Sequence, residues 1–165
     1  ITLDPHALNT FKKDYPGLGG QFKVQHYSEV LADLLKKKKI KLKAWPVKIT
    51  YHDPCYLGRH QRIYQAPRDI LKAIPKAEFV EMHRHGANAF CCGGGGGNFF
   101  TDILGTAEDS ASRVRVREAA QTGASILAVA CPNCAKMLSD AVKMEHLEDR
   151  LEVLGLAEIL KRAGK

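Results

Sequence analysis

Short apolar runs alternate along this chain with stretches whose apolar residues recur every three or four positions. The runs predict strands over 1–3, 22–26, 47–52, 78–82, 125–130 and 151–153. The recurring pattern predicts helices over 6–14, 28–38, 67–73, 110–122, 133–143 and 156–162. Local signals mark the limits. Ser28 suits a helix N-cap, Gly123 suits the residue that closes the 110–122 helix, and Pro16-Gly17 with Gly19-Gly20 marks a turn. Regular strand–helix alternation implies right-handed crossovers. The fold class is therefore α/β, a doubly wound, mostly parallel, Rossmann-like sheet with helices on both faces. The run SILAVA has no polar side, as a central parallel strand requires.

Composition bounds this picture. The 165 residues, 45% of them hydrophobic, suit a single domain over 1–165 with a real core and exclude a disordered chain. No apolar run is long enough to cross a bilayer, and ITLDPHALN lacks the charged-then-apolar order of a secretory signal. The chain starts without Met, and ITLDP reads as a strand end running into a helix. We expect a piece of a longer, cytoplasmic protein, cut within or just before its first strand. The net charge of +7 would suit an acidic partner, but the basic residues are dispersed apart from Lys36 to Lys39. That run falls at a predicted helix C-terminus, where cations suit the helix dipole. Aromatic residues are not interleaved with basic ones, so nucleic acid is not an expected partner.

The five cysteines carry the chemistry. An odd number without a secretory signal argues against a disulfide framework and for metal or redox work. Each follows a predicted strand: Cys55 after 47–52, Cys91 and Cys92 one loop after 78–82, Cys131 and Cys134 directly after 125–130. Sites in open α/β sheets form at such carboxyl ends, so the five are expected to share one site. Cys131-Pro132-Asn133-Cys134 offers two thiolates from one turn, the second within the first turn of a helix whose dipole favours the thiolate. The doublet Cys91-Cys92 needs a sharp backbone turn to aim both sulfurs one way, because neighbours on an extended chain face opposite sides. Soft sulfur donors select zinc, copper(I) or iron–sulfur clusters. Five thiolates exceed what tetrahedral zinc uses, whereas a multi-iron centre can use them all. A metal-free dithiol acting through Cys131 and Cys134 is a third reading.

The run from Gly93 to Gly97 looks at first like a phosphate cradle, but no Gly-Lys-Ser/Thr follows. It reads better as backbone passing close to a bulky inorganic centre, with Gly94, Gly95 and Gly96 as candidate substrate-side positions. Around Cys55, His52 and His60 are candidates to protonate a departing thiolate, and Arg59 is a candidate to bind an anionic substrate group. Cys55, Cys91 and Cys92 are the candidate reactive cysteines. A bland alternative makes His52 a satisfied core residue and Asp53 a turn cap.

At YHDPCYLGRH, FCCGGGGGNFF and ACPNCAKML the chain resembles the cysteine-rich CCG domain family. DPHALNTF and QHYSEVLADLL extend the resemblance across nearly the whole length. CCGGGGGNFFTDILG looks most like components of the heterodisulfide reductase D kind, including the cytoplasmic component of membrane complexes linked to sulfite reduction. The resemblance implies that Cys55, Cys91, Cys92, Cys131 and Cys134 ligate a non-cubane [4Fe-4S] cluster that delivers electrons to a disulfide or similar sulfur substrate. Zinc in a structural or docking module is the alternative cofactor. It also implies partners: a second CCG domain and a ferredoxin-type segment in the same polypeptide, other electron-transfer subunits, and a thiol or disulfide substrate. The chain matches the second, C-terminal copy of such a tandem.

Overall fold

The structure, a computed structural model, describes residues 1–101 and 107–164. The end of the CCGGGGGNFFTDILG stretch, residues 102–105, lies outside the described residues. Four strands, β1 (Lys48–Tyr51), β2 (Glu78–Val80), β3 (Ile126–Val129) and β4 (Glu152–Gly155), form one sheet in the order β2-β1-β3-β4. Every pairing is parallel. The helices are α1 (Pro5–Asn9), α2 (Tyr27–Lys36), α3 (Gln65–Lys72), α4 (Asn98–Thr101), α5 (Ala111–Gln121), α6 (Pro132–Met144) and α7 (Leu156–Ala163).

Helices cover both faces, as the alternating pattern predicts. Successive residues of β3 face opposite cores. Ile126 and Ala128 join Ile49, Ile70, Leu154 and Ile159 on the α3 and α7 side. Leu127 and Val129 join Val116, Ala119, Leu138 and Ala141 on the α5 and α6 side. All four β3 side chains are buried, which explains the absence of polar residues in SILAVA. Each fully buried apolar side chain contributes about 1.5–3 kcal/mol, and the sheet's carboxyl edge rests on these two cores.

Several boundaries move for physical reasons. The runs 1–3 and 22–26 are not strands: they meet in a single parallel bridge, Thr2 to His26. Phe22 turns to the surface instead, edge-on to Phe11 in an aromatic cluster with Tyr15. The 6–14 helix is regular only to Asn9, then widens to a π turn, Thr10–Asp14, and tightens to a 3₁₀ turn, Tyr15–Leu18. Ser28 is not the cap of α2. His26 is: its Nδ1 accepts from the Ser28 amide at 3.4 Å, and Glu29 accepts from the His26 amide at 3.0 Å. The 78–82 strand stops at Val80, because Glu81 turns to Arg68 and the Arg84 amide donates to Glu118 rather than to a strand. Gly123 closes α5 at φ +70°, as predicted.

Candidate metal centre

The five cysteines gather where the chain leaves the carboxyl ends of β1 and β3. Each is a free thiol. Cys131 is the N-cap of α6 in extended conformation, and Pro132 occupies the first helical position, where its missing N–H costs nothing. Cys134 then lies one turn into the helix. Its Sγ sits 3.2 Å from Cys92 Sγ, a thiol hydrogen bond and far longer than a disulfide of about 2.05 Å. Cys92 is buried and Cys91 exposed. The two sulfurs nevertheless stay in hydrogen-bond contact, and Gly93 at φ +82° turns the backbone and returns its amide to Cys91 Sγ at 3.2 Å. Asn98 secures the turn by donating to the Gly93 carbonyl at 3.0 Å. Cys55 is half-buried at the start of a π turn, Tyr56–His60.

The sulfurs share protons unevenly. Cys92 is held far below the ordinary thiol range by hydrogen bonds from Cys134 and Cys91 and, with them, from His52. Cys91 and Cys134 are pushed up, because their thiols donate to neighbouring sulfur. Cys131 is lowered by Cys134, by backbone amides at the helix start and by the nearby His6. Burial raises Cys55. Of the five, Cys92 is therefore the sulfur whose surroundings most favour the thiolate, the form that binds metals.

Polar residues lock this arrangement from behind. Asp53 accepts from Arg68 through both oxygens, at 2.7 and 2.9 Å, and from the Gly86 amide at 2.8 Å. It clamps β1, α3 and the loop leading to the doublet, a larger role than the turn cap of the bland reading. His52 is buried, and its Nδ1 accepts from Arg115 Nε at 3.0 Å. Its donor atom lies with those of Cys92 and Cys134 within 4.8 Å of one another. A second group, Asp4, His6 and Cys131, meets the same limit. Arg59 donates to the Ala89 carbonyl at 2.8 Å and lines a small cleft with Cys55 and Cys91. His60 is exposed and stacks on Tyr56, with ring centroids 4.4 Å apart. A methyl group on Gly94 would meet Cys92 Sγ at 3.6 Å and Met137 at 3.0 Å, while Gly95 and Gly96 face open space.

The structure therefore brings His52, Cys92 and Cys134 together, sets Arg59 beside Cys55 and Cys91, and leaves His60 on the outer side of its turn. Sequence reasoning missed Arg115, Glu118, Asp4 and His6. The first had a signal: Ser112, Arg115, Val116 and Ala119 follow the spacing of a buried stripe, with Arg115 inside it and Glu118 three residues on.

A model of the cysteine-rich CCG domain matches residues 49–139, which spans the site from the start of β1 to the middle of α6. The chain belongs to the cysteine-rich CCG domain family. It is 39% identical to a probable iron-sulfur-binding oxidoreductase of Bacillus subtilis, covering 99% of this chain and 23% of that protein. It is 34% identical to an EtfAB:quinone oxidoreductase of Syntrophomonas wolfei, with 99% and 24% covered. It is 43% identical to one component of the dihydromethanophenazine:CoB–CoM heterodisulfide reductase of Methanosarcina mazei, with 88% and 37% covered. The chain thus spans between about a quarter and just over a third of these relatives. Among the described residues no helix is long and apolar enough to cross a membrane.

The donor set suits an iron–sulfur group. Five thiols converge, and an adjacent backbone leaves no room for a Cβ at Gly94 without displacing Met137. Arg115 Nη2 is buried with no hydrogen-bond partner among the described residues.

Proposed function

We propose that this chain is the iron–sulfur redox domain of a heterodisulfide reductase-like oxidoreductase, with Cys55, Cys91, Cys92, Cys131 and Cys134 holding a [4Fe-4S] cluster of non-cubane type. The observation that carries the reading is the convergence of five free thiols from three separate loops, one more than tetrahedral zinc accepts. Iron–sulfur and heterodisulfide reductase relatives support it. When bound, such a group supplies one-electron transfer at a potential set by its hydrogen bonds.

The chain's own residues do the rest. The α6 N-terminus and the donors around Cys92 favour the thiolate form needed for ligation. A substrate sulfur approaches at the mouth of the small cleft beside Cys55 and Cys91, and Arg59 at its rim attracts an anionic group on the substrate. The substrate S–S bond breaks, and each sulfur gains one electron and one proton. His52 and His60 are the candidate proton-handling groups, His60 from the solvent side. Electrons come from partner subunits or from further domains of a longer polypeptide, including a second cysteine-rich domain. The test loads the chain with iron and sulfide without oxygen, reduces it, removes the reductant and adds a small chromogenic disulfide. Thiol release matched by reoxidation of the protein is expected; a loaded, reduced protein that transfers no electrons overturns the redox reading.

One observation favours a second reading. His52, Cys92 and Cys134 converge tightly enough to begin a tetrahedral zinc site, with Cys91 or Cys131 as fourth ligand. The chain would then be a docking module. One zinc per chain, retained in Cys55→Ser, would establish this instead.

A further inference from the structure

The polar network behind His52 has Arg115 as its central donor, toward His52 on one side and toward Glu118 and the Arg84 carbonyl on the other. Arg115 is fully buried on α5 and is held from both sides. Its Nη1 donates to the Arg84 carbonyl and to Glu118, each at 2.8 Å. Glu118 in turn accepts from the Arg84 amide and from Arg84 Nε, both at 3.0 Å. The Arg84 guanidinium lies 3.8 Å from the ring centre of Phe90, the residue before the cysteine doublet. The guanidinium of Arg115 is therefore fixed in its plane and cannot turn away from His52.

That constraint decides the tautomer. Arg115 Nε can only donate, so His52 Nδ1, at 3.0 Å, must be the unprotonated nitrogen. The ring proton of His52 then sits on Nε2, the nitrogen not engaged by Arg115, and the ring lies in the cluster in which a His52 nitrogen and the Cys92 and Cys134 sulfurs are within 4.8 Å of one another. The guanidinium also has a donor to spare. Nη2 lies on the same edge as Nε by the planar geometry of the group, and it is the buried atom without a partner among the described residues.

We infer that Arg115 is a positioning residue for the sulfur centre: it fixes His52 as the Nε2–H tautomer, so that His52 donates a hydrogen bond to the Cys92 sulfur and raises the reduction potential of the group held there. The inference rests on the reading of this pole as a redox centre. Reduction adds negative charge to the sulfurs, and an N–H donor aimed at them stabilises the reduced state more than the oxidised one. The 63-residue separation of the two partners explains why no motif around Cys55 reveals the pair.

Two measurements test it, and the first needs no metal. Nitrogen-15 NMR of the imidazoles in the metal-free chain should show His52 as a single neutral tautomer with a pyridine-type Nδ1, and Arg115→Met should lose that single form. A protonated Nδ1 on wild-type His52 overturns the inference whatever the chain binds. The second is a redox titration of the iron-loaded chain. Losing one charge-assisted hydrogen bond in His52→Leu should lower the reduction equilibrium about tenfold, or about 59 mV for one electron. His52→Gln, whose amide N–H takes the place of Nε2–H, should keep the wild-type potential. Equal potentials for the Leu variant and the wild type overturn the inference. Failure to take up any iron would instead overturn the redox reading, and the NMR result would still decide the tautomer. The two His52 variants keep the test open even if Arg115→Met does not fold.

Discussion

The sulfur pole is built from two halves that the protein holds in different ways. The floor comprises Cys131 and Cys134 with the ends of β1 and β3. Both cysteines are nearly fully buried, at 3% and 2% exposure, and rest on Leu138, Ala141 and Val129. The roof is the segment from Cys91 through the glycines to Phe100. Cys91 and Gly95 to Gly97 are exposed, and Phe100 is 85% exposed. Cys92 joins the two, buried in the floor's core while its neighbours belong to the roof. The difference teaches that a fold can fix some cysteines with its own packing energy and leave others to a few hydrogen bonds. The floor is held by the packing that stabilises the fold, whereas the roof is held by a few hydrogen bonds.

Substitutions that strike each half should therefore differ in size. The largest effect belongs beneath the floor. Asp53→Ala leaves the buried guanidinium of Arg68 short of its best partner and frees the Gly86 amide. A loss of about 3–5 kcal/mol in chemical denaturation of the metal-free chain is expected. A loss below about 1 kcal/mol would mean the clamp is not structural. In the roof, Gly93→Ala should cost about 1–2 kcal/mol, because its φ of +82° is unfavourable for any side chain. Its effect on iron uptake should be larger than its effect on stability, since the turn aims both sulfurs of the doublet.

Acid should separate the halves as well. Burial would raise the Glu118 carboxyl, but hydrogen bonds from Arg84 and Arg115 outweigh it and hold the pKa below the ordinary 4.5. A depressed carboxylate stabilises the fold above its unfolded pKa, and that contribution is lost as pH falls through the folded value. The metal-free chain should lose stability below about pH 4.5, and Glu118→Gln should flatten that limb. An unchanged acid limb in Glu118→Gln would remove the network as a source of stability. The smallest effect is expected at Gly95, where a methyl group meets nothing. Gly95→Ala should change stability by less than about 0.5 kcal/mol. Should it abolish iron binding, the roof lies closer to the centre than the present geometry shows.

Much of the floor was legible in the sequence. Strand–helix alternation gave the parallel sheet, the apolar run before Cys131 marked its buried centre, and Pro132 with the two-residue spacer placed Cys134 in a helical first turn. The bridge between Thr2 and His26 was less legible. A short apolar run carries no sign of whether a ladder continues, and here Phe22 gains more by packing on Phe11 and Tyr15. His6 and Asp4 lie beside Cys131 through that same bridge region, which local pattern does not encode. Arg115 sits in SRVRVRE, where arginines alternate with valines and charge alone does not single it out. Only the i, i+3, i+4 spacing with Val116 and Ala119 betrays its buried side. His52 was visible beside Cys55, but not its partner on α5.

The redox reading of the pole stands on one number, the iron that its five cysteines bind together. Anaerobic incubation with iron and sulfide, followed by iron and sulfide analysis and absorption spectroscopy, measures it directly. A brown protein with about four irons per chain is expected, its iron reduced or lost when any of the five cysteines becomes serine. A colourless protein holding no iron, or full iron uptake after removal of Cys55 or Cys91, would contradict it.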